Sequence, residues 1–144
     1  MWQLSTKGRY GTRVMFQLAL RYGEGPILLK NIAEAEDLST KYLEHIVPLL
    51  KSANLIQSVR GPHGGYQLSK PPQEVNLKDI VEVLEGDIAP VDCVDTPSVC
   101  ERTEECTARD VWSLLEDKIR STLIDITLQD MLDMHKEKLN QEKN

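Results

Sequence analysis

The sequence predicts a mainly α fold with a small β-wing: a winged helix-turn-helix region followed by a long C-terminal dimerisation helix. Two helical patterns separated by a tight turn, a glycine-rich link between two short strand patterns, and a late apolar seam of helical period carry that reading. A chain of 144 residues with 40% hydrophobic composition can bury one core, so a single domain, or a domain with an appended arm, is expected. The divisions fall at 1–72 for the winged helix-turn-helix, 73–106 for a connecting helix and a cysteine-containing loop, 107–132 for the dimerisation helix and a short final helix, and 133–144 for a flexible tail.

Tyr10, Val14, Leu18 and Tyr22 recur every four residues and mark a first helix from Ser5 to about Tyr22, ended by Gly23 and Gly25. Leu29, Ile32 and Ala33 mark a short second helix over 28–36. The turn at Asp37-Leu38-Ser39 leads into a third helix, with Ser39 as N-cap and Leu43, Ile46, Val47 and Leu50 on its buried face. Thr40, Lys41, Glu44 and His45 are left on the opposite face. Pro48 is expected to bend this helix, because it lacks an N–H and its ring crowds the preceding turn. Asn54 can close it in the left-handed conformation. Two short strands, 55–60 and 66–69, then flank Gly61-Pro62-His63-Gly64-Gly65 and form the wing.

Asn76 with Asp79 caps a fourth helix carrying Leu77, Ile80, Val81 and Leu84, which Gly86 stops. Residues 87–106 have few large apolar side chains and hold all three cysteines. From Thr107 a long helix resumes with Val111, Leu115, Ile119, Thr122 and Ile126 as a narrow seam, widened by Leu114, Leu123 and Ile124. That seam suits a homodimer, which brings two reading heads to half-sites about one helical turn apart. Thr127 with Asp130 can cap a short last helix through Met131 and Leu132, after which the charged tail from His135 is expected to be solvated.

Net charge is -6, yet the two halves carry opposite signs. Residues 1–70 hold nine Lys+Arg against five Asp+Glu, and the remainder is strongly acidic. A basic head can dock on the phosphates of double-stranded DNA while the acidic half faces away. The exposed start of the third helix is the expected base reader, with Ser39, Thr40, Lys41, Tyr42, Glu44 and His45 nearest the groove; Glu44 can accept from cytosine N4. Arg60, Gly61, Gly64 and Gly65 are the expected wing contacts. Ser5, Lys7 and Arg9, beside the positive end of the first helix, are expected at phosphates. No apolar run approaches the roughly 20 residues a membrane span needs, and a cytosolic location is expected.

Cys93, Cys100 and Cys106, separated by six and then five residues, are the only cysteines of the chain. Thiolates are preferred ligands of soft metals and iron-sulfur clusters, and an odd count argues against a disulfide framework. His45, His63 and His135 are not placed beside a nucleophile, and no acid pair or phosphate loop appears, so an enzyme is not expected.

Ser5-Thr6-Lys7-Gly8-Arg9-Tyr10, Tyr42-Leu43-Glu44, Ser58-Val59-Arg60-Gly61-Pro62, Gly64-Gly65-Tyr66 and the cysteine loop together carry a resemblance that covers nearly the whole chain. It resembles the Rrf family of winged-helix transcription regulators, and within it the iron-sulfur cluster regulators. The resemblance implies a dimeric repressor with a [2Fe-2S] cluster on Cys93, Cys100 and Cys106 that adjusts transcription of cluster-biogenesis genes, with cluster-donating assembly proteins as further partners. The related repressor of cysteine metabolism is similar in the N-terminal half but lacks these cysteines. Where the cluster regulators place a histidine, three residues after the third cysteine, this chain has Arg109, whose guanidinium stays protonated and cannot ligate iron. Where nitric-oxide-sensing relatives supply a carboxylate from the partner's first helix, it has Arg9. Glu104, Glu105, Asp92, Asp95, water or a small thiol remain as fourth ligand. A zinc site, a thiol redox switch or an iron-sulfur carrier would use the same cysteine loop.

Overall fold

A computed structural model describes residues 3–144, which form seven α-helices, two short 3-10 turns and one antiparallel hairpin. The helices are α1 (Thr6–Leu20), α2 (Leu29–Glu36), α3 (Thr40–Ser52), α4 (Leu77–Glu85), α5 (Asp92–Asp95), α6 (Thr107–Asp125) and α7 (Leu128–Glu142); β1 (Ile56–Val59) and β2 (Gly65–Leu68) lie between α3 and α4. The fold is therefore mainly helical with a small two-stranded sheet, as the sequence implied.

The local stops and starts follow side-chain chemistry. Ser5, Ser39 and Asn76 accept from the backbone N–H of Gly8, Tyr42 and Asp79, each satisfying a first-turn donor that has no partner inside its helix. Asp37 and Asn54 adopt positive φ and close α2 and α3. Pro48 lies inside α3, which continues through it to Ser52. Proline there removes one backbone bond, and the Glu44 carbonyl that would have accepted it belongs to an exposed residue.

Val14, Met15 and Leu18 of α1, Ile32 of α2, Leu43, Ile46 and Leu50 of α3, Ile56 of β1, Ile80 of α4 and Leu128 of α7 form one buried cluster. In α1 the helix spacing that predicted this face is the spacing that packs it. A Cβ on Gly8 would fall on the Glu85 carboxylate, and one on Gly11 on the end of Leu84, so these glycines let the two α4 side chains lie directly against α1. α7 returns across α1, tied to the start of α4 by Leu77 N–H to the Ile126 carbonyl at 2.8 Å and Leu128 N–H to the Val75 carbonyl at 2.9 Å.

The C-terminus differs from expectation. The sequence ended a short helix at Leu132 with a solvated tail, whereas α7 runs to Glu142. A capping box of Thr127 and Asp130 starts it. Its continuation is rich in good helix formers, and the His135 ring packs edge-on against Phe16 of α1 with centroids 5.3 Å apart. The charged stretch after His135 is exposed, as expected, but helical through Glu142.

The wing is anchored rather than free. Ile27 and Tyr66 exchange two backbone hydrogen bonds of 2.8 Å, which adds Ile27 as a one-residue third partner to the hairpin. Gly65 makes this possible, because at φ 146° a Cβ there would strike the Ile27 carbonyl and the Leu28 nitrogen. Gly65→Ala should therefore destabilise the protein by about 1–3 kcal/mol, read as a lower urea midpoint with an unchanged slope; an unchanged midpoint would count against the anchoring role.

Candidate functional site

The DNA-facing candidates divide into free and committed groups. Thr40, Lys41, Glu44 and His45 are exposed on one side of α3, behind the Ser39 cap, and Tyr42 is half-buried. Arg60 and Gly61 are exposed on the wing, and a Cβ on Gly61 would meet open space. Lys7 and Arg9 are exposed on the first turns of α1, where the Arg9 guanidinium lies 5.8 Å from the Tyr10 ring.

Three expected contacts have other work. The backbone N–H and the hydroxyl of Ser5 both donate to Glu85 Oε1, at 2.8 and 2.7 Å, so the positive end of α1 is already met by a carboxylate and is not open to phosphate through Ser5. Gly64 is buried, and a side chain on it would run into the Val59 carbonyl. Gly65 faces the Ile27 backbone. These two glycines shape the wing.

The cysteine loop hangs between the end of α4 and the start of α6. It folds as α5, a 3-10 turn at Pro97–Val99 and a turn-rich stretch up to Cys106, the residue before α6. Cys93 and Cys106 are half-buried, Cys100 is exposed, and all three are free thiols. Their chemistry fits an iron-sulfur cluster, since three soft donors share one short segment. Among the described residues, however, no three His, Cys, Asp or Glu side chains are gathered closely enough to hold a metal ion, so the donors do not form a ready cradle. Arg109, in the first turn of α6, donates Nε–H to the Cys93 carbonyl at 2.9 Å. The residue at the position of the family histidine thus latches the loop backbone.

A charged group lies beneath the loop. Arg120 donates to Glu82 Oε1 at 2.8 Å and to Glu116 Oε1 at 2.7 Å, and Glu116 is only 5% exposed. Nearby, the carboxyl groups of Asp87 and Asp95 face each other. Asp87, hydrogen-bonded by Asp95 and by the Ala89 N–H, is held below its ordinary range. Asp95 is pushed up to about 6, chiefly by its hydrogen bond to Asp87 and with help from the negative charges of Asp87 and Glu116. Neither this pair nor the Glu85–Ser5, Arg109–Cys93 and Arg120–Glu82 contacts has a signature in the sequence, because each joins segments of no fixed spacing; only the Glu116–Arg120 pair, four residues apart on one helix, has one.

Comparison with known proteins identifies the kind of molecule. The Rrf2 family of iron-dependent transcriptional regulators matches residues 4–134. The chain belongs to the Rrf2 family. It is 41% identical over 129 residues to the HTH-type transcriptional regulator CymR of Bacillus subtilis, covering 90% of this chain and 88% of that one. The solved structure of CymR, the global cysteine regulator of B. subtilis, superposes with a TM-score of 0.79 at 40% identity, over 93% of this chain and 98% of that chain. T. potens IscR gives the same TM-score at 39% identity, over 95% and 90%. The Rrf2 member described here is accordingly a DNA-binding transcription regulator of winged-helix fold. Among its described residues no helix is long and apolar enough to cross a membrane.

The opposite shifts of Asp87 and Asp95 predict a pH dependence for the loop of this Rrf2 regulator. The folded protein holds the Asp95 proton more tightly than an unfolded chain, so that contribution is fully present below the ordinary 3.8 and is lost as pH rises through about 6. Asp87 runs the other way, contributing above 3.8 and losing its part as pH falls through its lowered value. In metal-free protein, amides of 93–106 should exchange more slowly at pH 5 than at pH 7 after correction for intrinsic rates. Asp95→Asn, measured by hydrogen-exchange mass spectrometry, should flatten that difference.

Proposed function

We propose that this chain acts as a homodimeric, sequence-specific repressor whose DNA affinity is set by a [2Fe-2S] cluster held by Cys93, Cys100 and Cys106, and that it controls cluster-biogenesis genes. The observation that carries the reading is the placement of all three thiols on one loop that runs directly into α6. The family's description as iron-dependent regulators and the similarity to T. potens IscR support it. Cys93, Cys100 and Cys106 would hold the cluster, and the cluster would supply an oxygen- and iron-sensitive charge that orders the loop. Arg109 cannot serve as fourth ligand, which leaves that place to a nearby carboxylate, water or a small thiol. With one weak ligand the cluster should be labile in air.

The dimer reading rests on α6. Its face toward α4 holds Glu116 and Arg120, whereas Val111, Trp112, Leu114, Leu115 and Ile124 point outward and Leu114 is 66% exposed. A second copy of the chain covering these exposed apolar side chains would remove them from water. Base reading falls to Thr40, Lys41, Tyr42, Glu44 and His45, with Arg60 and Gly61 on the wing and Lys7 and Arg9 at phosphates. A second reading keeps the fold and replaces the cluster by a thiol or cysteine-derived signal. The scattered thiols and the similarity to the cysteine regulator CymR favour it.

Anaerobic purification and reconstitution separate the two. The cluster reading expects iron, sulfide and a visible absorption band in wild type, loss of that band in Cys93→Ala, and a gel shift that differs between loaded and stripped protein. Colourless, iron-free protein would leave the thiol reading, and zinc in metal analysis would point to a structural site. Leu114→Glu with Leu115→Glu should convert the dimer to a monomer in light scattering and weaken operator binding by at least about tenfold. A dimer of unchanged mass would remove α6 from the interface.

A further inference from the structure

Arg13 is a basic residue on the DNA-side half of the chain, with a side chain 44% exposed, and by charge alone it would be counted among the phosphate contacts. Its surroundings give it a different task. Nε donates to Glu36 Oε2 at 2.7 Å, and a terminal nitrogen donates to the backbone carbonyl of the same Glu36. Gln17, one turn further along α1, donates to Glu36 Oε1 at 2.6 Å. Glu36 is the last residue of α2, and Asp37 beside it carries the left-handed conformation that turns the chain toward α3. The other side of the Arg13 guanidinium lies 5.4 Å from the Tyr10 ring, which meets the Tyr42 ring edge-on at 5.6 Å. Tyr42 belongs to the first turn of α3. One side chain of α1 therefore grips the end of the first helix of the motif while the aromatic pair beside it braces the start of the second.

We propose that Arg13, through Glu36 and the Tyr10–Tyr42 pair, is a positioning residue that fixes how α3 is presented to base edges and is not a phosphate contact. The proposal rests on α3 being the base reader. A guanidinium fork suits the task, because it can hold the carboxylate and the carbonyl of Glu36 together, which a lysine point charge cannot. Losing the bracket leaves every phosphate-facing charge in place but lets α3 adopt more than one tilt. The loss should then fall on discrimination between sequences rather than on general affinity for duplex.

The test uses full-length protein, the duplex that wild type enriches from a randomised pool, and a scrambled duplex of the same composition. Anisotropy titrations run between about 50 and 200 mM salt. Arg13→Ala and Glu36→Ala should each lower affinity for the enriched duplex by about tenfold while the scrambled duplex changes little. The slope of log affinity against log salt should stay that of wild type. The double variant should be no worse than either single one, since both remove the same bracket. Lys41→Ala, by contrast, should reduce the slope by about one unit if it meets a phosphate.

Glu36→Ala decides most directly. A phosphate-contacting Arg13 would be released by it and would bind both duplexes more tightly, which overturns the proposal. So does an Arg13→Ala variant that weakens both duplexes alike with a slope lower by about one unit, or one that changes nothing. If Arg13→Ala melts at markedly lower temperature, Arg13→Lys keeps the charge without the fork and must show the same selective loss. A wild type that enriches no sequence would instead defeat the reading of α3 itself, before any variant is compared.

Discussion

The close crossing of α1 over α4 is the constraint on which the arrangement depends. Gly8 and Gly11 remove the side chains that would hold the two helices apart, and Glu85 uses the space to cap α1 from a segment distant in sequence. The cap satisfies first-turn donors and sets a carboxylate against the helix's positive end. Because α1 also carries the core residues that pack α2 and α3, and α4 leads directly into the cysteine loop, this crossing connects the reading head to the candidate sensing segment through rigid elements. A larger residue at either glycine would displace Glu85 or Leu84 from its seat on α1.

α6 meets α4 through charges while exposing several large apolar side chains. Its inward contacts to α4 are an ion network of Glu82, Glu116 and Arg120, with Lys78 joining Glu82 at 3.3 Å. A nearly buried carboxylate kept paired is costly to strand, so Arg120 fixes the rotation of α6 about its own axis and thereby selects which apolar residues face outward. The same network lies under Asp87 and Asp95, so the loop and the outward seam share a foundation.

Most of the helical framework was legible because its signals are local. Ser39, Asn76, Thr127 with Asp130, and Asn54 each act within three or four residues of their own position, and the four-residue spacing of Val14 and Leu18 states which side of α1 is inside. The seam on α6 was only half legible: Leu123 and Ile126 turned inward to the core while Val111 and Leu115 remained out, a division that depends on where α4 lies. The length of α7 was missed because a charged, exposed stretch reads as frayed tail, whereas here its strong helix formers continue the helix that His135 anchors on Phe16. At the candidate site the exposed face of α3 and the three thiols could be read directly. The tasks of Ser5, Gly64 and Gly65 could not, because residue type alone does not distinguish a group that meets a ligand from one that meets the protein's own backbone.

The pair of backbone bonds between Ile27 and Tyr66 has a mechanical meaning. Hairpins joined to a domain only by their ends can swing, but this one is riveted to the segment between α1 and α2, so if wing and α3 both meet DNA they would act as two jaws of a caliper with a set opening. Such a tool gauges the width of what it grips. Duplexes whose grooves depart from that gauge must be bent to enter it, and stiff sequences resist bending more than supple ones, so selectivity would extend to base steps that no side chain touches.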